Sequence, residues 1–226
     1  MKNRAPIRKL RGHLHSRHIS RFFKGQAGFT LIELSIVVLI VLVVGGIVVP
    51  NTITFIRSAK LQGAGSDFSG LLQQDRIRAV QDDAYYSTYL VTSGSLQVAY
   101  VDLKANGGTG ADTLDPLISI PSEVVPIAAS SAPDTSNLKG QFLPTGSTLT
   151  VSDGSSSTTP VTFSPRGLPC TKQTVTGGTI CNSAGGATAF WVFFQDSYTQ
   201  VWEAVTISPA GRIQRWRLDG SSWSKM

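Results

Sequence analysis

From Phe29 to Val49 the chain runs through 21 residues, FTLIELSIVVLIVLVVGGIVV, with a single charge at Glu33. As a helix rising 1.5 Å per residue, that stretch is about 31 Å long, enough to cross the hydrocarbon core of a bilayer. Its Val and Ile content would suit a buried strand, but strands of that length do not occur in ordinary domains. The run predicts one membrane span, residues 29–49, and no other stretch of the 226 residues is continuously apolar. The whole chain is 41% hydrophobic and 15% charged. That is too apolar for a disordered polyelectrolyte, and the length is sufficient to enclose a core.

The charge is unevenly placed. Residues 1–28 hold eight of the 20 basic residues and no acid, and they also hold all three histidines, His13, His15 and His18. The rest of the chain carries a net charge of −2, so the overall +6 mostly reports the leader. By the positive-inside rule the leader lies in the cytoplasm and the chain after Val49 lies outside. A secretory signal peptide would need a shorter apolar core and a small-x-small cut behind it. Val48-Val49-Pro50-Asn51 offers none. A simple uncleaved anchor would present the same apolar run.

A different cut, ahead of the run, is suggested by Gly28-Phe29-Thr30-Leu31-Ile32-Glu33-Leu34. This string resembles the processing site of type IV prepilins and type II secretion pseudopilins. The resemblance implies cleavage between Gly28 and Phe29 by a prepilin peptidase in the inner membrane, with N-methylation of Phe29. It also implies a helix kinked at Pro50 and assembly with other pilins or pseudopilins in a filament. Glu33 can be argued from its chemistry. A carboxylate inside a span is costly and usually has a partner or a function. It stands four residues from the new amine, on the same helical face, where it could neutralise its own amine or a neighbour's. The resemblance favours the neighbour.

Beyond Pro50 the helical period continues to about residue 82. Ile53, Ile56, Ala64, Phe68, Leu71, Leu72 and Ala79 recur mostly three, four or seven apart, with polar residues such as Arg57, Lys60 and Arg76 placed on the other side. Residues 83–226 read as strands and turns. A hairpin is expected at Tyr86–Thr92 and Leu96–Leu103, and short strand pieces at Leu117–Ile120 and Val124–Ile127 within a loop over 104–137. Further strands are expected at Gly140–Leu143, Thr148–Ser152, Val161–Ser164, Ala189–Gln195, Gln200–Ile207 and Arg212–Leu218. The fold class is α+β, a long kinked helix laid on an antiparallel β domain, with no internal repeat. The segments Phe163–Pro169 and Val205–Arg212 resemble the GspH/FimT branch, the minor pseudopilin H and its type IV pilus relative.

Cys170 and Cys181 are the only cysteines and both fall in the exported part, where an oxidising compartment permits a disulfide that closes a short loop. With the leader removed no histidine remains, so Ser-His-Asp and Cys-His catalysis are excluded and zinc lacks its commonest nitrogen ligand. The expectation is no enzyme, no metal and no cofactor. Gly107–Asp115 fits one copy of a calcium-binding nonapeptide, but that site needs stacked copies, so the stretch reads as a Gly-rich loop. Arg212, Arg215 and Arg217 with Trp216, followed by Trp223 and Lys225, could bind phosphates and stack on bases. DNA-binding FimT-type members carry a G-R-x-R motif near the carboxy terminus, and here the second arginine falls one residue late, at Arg215. In a strand Arg215 and Arg217 share one face and Arg212 takes the other. An edge strand guarded by charge would show the same residues. The expected function is a minor pseudopilin of a type II secretion system. The alternative is a FimT-type pilin that takes up DNA.

Overall fold

The computed structural model describes residues 28–226 except 94–95, 105–109, 148, 156, 176–177 and 182–187. The leader, residues 1–27, lies outside the described residues. One helix, α1 (Leu31–Gln81), runs for 51 residues and passes through Pro50. The chain divides into two compact units, one ending at Ile47 and the other running from Val48 to Met226. In the first unit every described residue except Gly45 is exposed, including the whole apolar run of side chains. In the second, α1 buries Leu61, Ala64, Phe68, Leu71, Leu72, Asp75 and Ala79. Their spacing of three and four makes one stripe.

That stripe meets two sheets. The first has five strands in the order β3-β2-β1-β6-β7: β1 (Tyr86–Ser93), β2 (Leu96–Asp102), β3 (Leu117–Ile120), β6 (Val161–Phe163) and β7 (Pro169–Cys170). The second has the order β13-β12-β11-β10-β4: β4 (Val124–Ile127), β10 (Ala189–Asp196), β11 (Trp202–Ile207), β12 (Ile213–Asp219) and β13 (Ser222–Lys225). The β5 strand (Val151–Asp153) pairs in parallel with β10, so the β part is antiparallel except for this one rung set. Pro126 sits in β4, at the edge of its sheet, where a missing N–H is tolerated. The main core joins α1 to both sheets through Leu90, Val101, Val161, Phe163, Phe190, Val192, Phe194, Val205 and Ile207. Phe68 of α1 meets Phe194 edge to face at 5.4 Å.

The other face of the second sheet has a core of its own. Ala189, Phe193, Ala204, Trp216 and Trp223 are covered by Leu138, Phe142 and Leu143. Leu138 and Phe142 belong to a short helix, α2 (Thr135–Phe142). The strand expected at Gly140–Leu143 is therefore incorrect. The i, i+4 spacing of Leu138 and Phe142 puts both on one helical face over the two tryptophans, and that burial fixes the segment as helix. The loop expected between the cysteines is also corrected. It contains a hairpin, β8 (Lys172–Val175) with β9 (Gly178–Cys181), in which Lys172 stands opposite Cys181.

Candidate functional site

At the amino-terminal end Thr30 caps α1: its Oγ1 accepts the backbone N–H of Glu33 at 3.3 Å. Thr30-Leu31-Ile32-Glu33 has the T-x-x-E spacing of a capping box, and an acid in the first turn complements the positive end of the helix dipole. Sequence reasoning treated Glu33 only as a partner for an amine and missed the cap, although the spacing carried the signal. Gly28 precedes this turn, Phe29 is 81% exposed, and the apolar window of the helix is entirely unburied. Gly28, Phe29 and Glu33 thus stand together at one exposed helix start. Pro50 lies in the helix interior, and the Thr52 hydroxyl donates to the Val48 carbonyl beside it.

The two segments singled out by the GspH/FimT resemblance form a matched pair of turns. In Ser164-Pro165-Arg166-Gly167 the Gly167 N–H donates to the Ser164 carbonyl at 2.8 Å, and in Ser208-Pro209-Ala210-Gly211 the Gly211 N–H donates to Ser208 at 2.8 Å. The next residue closes each turn the same way: Leu168 N–H reaches Ser164 Oγ and Arg212 N–H reaches Ser208 Oγ. Both glycines have positive φ, +69° and +77°, which an L side chain adopts only with strain. The same S-P-x-G turn thus occurs twice, at residues 164–167 and 208–211. The two turns abut, since a Cβ on Gly211 would lie 2.7 Å from the Gly167 carbonyl. A single guanidinium from α1 fastens both: Arg76 Nε donates to Gly167 O at 3.0 Å and Nη1 donates to Gly211 O at 2.9 Å. Arg76 therefore reaches toward the sheets and is half-buried, rather than lying on a fully solvated helix face.

The carboxy-terminal arginines separate into different environments. Arg212 is exposed and precedes β12, at the Gly211 turn. Arg215 points at α1. Its Nε donates to Glu203 Oε1 at 2.7 Å, and its Nη2 donates to the Gln62 carbonyl at 2.8 Å. Arg217 stands directly across from Glu203 in the β11–β12 ladder, on the same face as Arg215. Trp216 faces the other way, 4% exposed, with Nε1 donating to Thr206 Oγ1 at 2.8 Å. As a stacking surface for bases Trp216 is corrected: its ring is core under α2, as is that of Trp223. Burial pushes Glu203 up to about 7, against the pull of the Arg215 charge.

Further up α1, Asp75 is fully buried. Thr88 Oγ1 of β1 donates to its Oδ2 at 2.5 Å, and Oδ1 has no hydrogen-bond partner among the described residues. Burial raises this carboxyl to about 8, with the Thr88 bond opposing the shift. Nearer the start of the second unit, Arg57 lies 3.8 Å from Asp196 and stacks over the Tyr198 ring, and Lys60 pairs with Glu123 at 2.6 Å. Burial raises the Asp196 carboxyl, but hydrogen bonds from Thr199 and Tyr198 and the Arg57 charge outweigh it and hold the group below its ordinary range.

Cys170 and Cys181 are joined by a disulfide with a Cα–Cα distance of 5.4 Å. In the Gly-rich stretch, residues 107–109 lie outside the described residues. Both oxygens of Asp115 are used by backbone: Oδ1 accepts from Leu103 N–H and Oδ2 from Asp112 N–H. That carboxylate closes the loop.

Against known proteins, residues 23–49 match the model of the prokaryotic N-terminal methylation motif. Neither a curated protein nor a solved structure matches the chain.

Proposed function

On the premise that this chain is type IV pilin-like, we propose that it is a minor pseudopilin of the GspH/FimT type. The leader is cleaved between Gly28 and Phe29 by prepilin peptidase, and Phe29 is N-methylated. Residues 29–49 hold the subunit in the inner membrane as a single pass, with the β-rich domain on the periplasmic side. The subunit then enters a type II secretion pseudopilus through α1. The observation that carries the reading is the coincidence of the methylation motif with an apolar helix start that nothing in its own unit covers. Uncovered apolar surface on that scale needs lipid or neighbouring helices. The disulfide accords with an oxidising compartment.

Two substitutions test it. Gly28→Ala should leave the leader attached, and mature-length protein in that variant overturns prepilin processing. Glu33→Ala should be cleaved and inserted normally yet be missing from sheared filaments. Normal incorporation would exclude Glu33 as the group that neutralises a neighbour's amine.

A second reading, DNA uptake by a FimT-type pilin, is supported by exposed Arg212 and Lys225. It has fewer contacts to draw on than the sequence suggested, because Trp216 is core and Arg215 is committed to Glu203 and Gln62. DNA binding whose salt slope falls on Arg212→Ala would favour it.

A further inference from the structure

A groove runs beside the last turns of α1, between the helix and the first residues of β12. Ile77 and Val80, 56% and 52% exposed, form its floor with Ile213, and Arg76 and Arg212 border a volume of about 570 Å³. It continues toward Ser69 as a recess of about 240 Å³ bordered by Arg212, Arg215 and Lys225. Among the described residues that line the two parts there are four cationic side chains and no acidic side chain. Arg212 has no carboxylate partner among the described residues.

We propose that this groove docks an acidic segment of an adjacent filament subunit, anchored by an aliphatic side chain. The aliphatic group covers Ile77 and Val80, and a neighbouring carboxylate pairs with Arg212. The inference rests on the filament reading above. Charge selects an anionic occupant, and the floor selects its class. A phosphate backbone offers nothing apolar to bury against two exposed aliphatic side chains, and bases would find no aromatic face, since Trp216 and Trp223 are buried. A carboxylate beside an aliphatic anchor satisfies both parts of the surface. The site is also preformed. Arg76 is held by two carbonyls, and the Gly211 turn that presents Arg212 is braced on the Gly167 turn. Little ordering is left for the partner to impose.

The test uses the full chain in cells that assemble the filament. Ile77→Glu combined with Arg212→Glu alters two exposed side chains and should leave processing, the disulfide and protease resistance unchanged. Its recovery in sheared filaments should fall about tenfold, with Arg212→Lys close to the parent. A photo-crosslinker at position 77 should join a pilin-like subunit through a peptide that contains Asp or Glu. Should the double variant lose protease resistance, Ile77→Ser is the substitute, with a loss of about threefold expected. Undiminished recovery of the folded variant, or crosslinks to DNA or lipid alone, overturns the groove assignment while the filament reading stands. Absence of the parent chain from filaments overturns the filament reading itself, and the inference with it.

Discussion

Glu203 approaches Gly65 so closely that a Cβ on that glycine would overlap the carboxylate Oε1. The same oxygen accepts from Arg215, whose Nη2 donates to the Gln62 carbonyl one turn back on α1. Acid, arginine and helix backbone thus close a single contact, and the missing side chain at position 65 is what admits it. Glu203 Oε2 makes no hydrogen bond among the described residues, so the contact depends on the one oxygen that faces Arg215.

Two glycines a few ångströms apart on one helix should therefore respond oppositely to the same change. Gly63→Ala meets nothing within 4 Å and should stabilise the domain by roughly 0.5–1 kcal/mol through helix propensity. Gly65→Ala gains the same propensity but must displace Glu203, and should destabilise by about 1–3 kcal/mol. Thermal unfolding of the two variants beside the parent checks this. Melting temperatures that move in the same direction would contradict the contact.

Asp75 and Glu203 make stability depend on pH in an unusual direction for carboxyl groups. In the folded protein they hold their protons up to about 8 and about 7, against ordinary values of 3.8 and 4.5. The folded state therefore binds protons more tightly than the unfolded one. Their contribution is fully present below about pH 4 and is lost as pH rises through 7 to 8. Denaturant midpoints should fall between pH 5 and pH 9, and Asp75→Asn should flatten that fall by removing the larger part. A midpoint that rises across the interval would refute the assignment.

Among the described residues, Arg76 makes the only hydrogen bonds from α1 to the two turn carbonyls. Arg76→Ala should cost about 2–3 kcal/mol, since each charge-assisted bond lost leaves a carbonyl short of its partner. Arg76→Lys keeps the charge but not the fork, and should recover only part of the loss. Denaturation melts and proteolytic nicking in the 164–168 and 208–212 turns read both effects. Equal stability of all three proteins would show the clamp to be dispensable.

The features legible from the sequence are those written in short-range spacing. The stripe from Leu61 to Ala79 follows the helical period, and the hairpin of β1 and β2 follows the alternation on either side of Ser93-Gly94. The amino-terminal motif is a continuous string, Gly28–Leu34, and so is legible directly; the methylation-motif match over residues 23–49 encloses it. The misreadings lie where a distant partner decides. Gly140–Leu143 reads as a strand because the tryptophans that bury Leu138 and Phe142 come 74–85 residues later. Arg76 looked like a solvated helix residue because its acceptors are 91 and 135 residues away. Trp216 reads as a stacking ring because alternation gives two faces to a strand but does not say that α2 covers one of them.

The row of fastenings along α1 has a mechanical meaning. Lys60 ties it to Glu123 beside β4, Gln62 to Arg215 in β12, Asp75 to Thr88 in β1, and Arg76 to the turns that end β6 and β11. Each sheet therefore has its own attachment to the helix, and the last rivet grips both. Tension entering through α1 would be shared between the sheets side by side rather than passed from one to the next, so neither has to peel away before the other bears load.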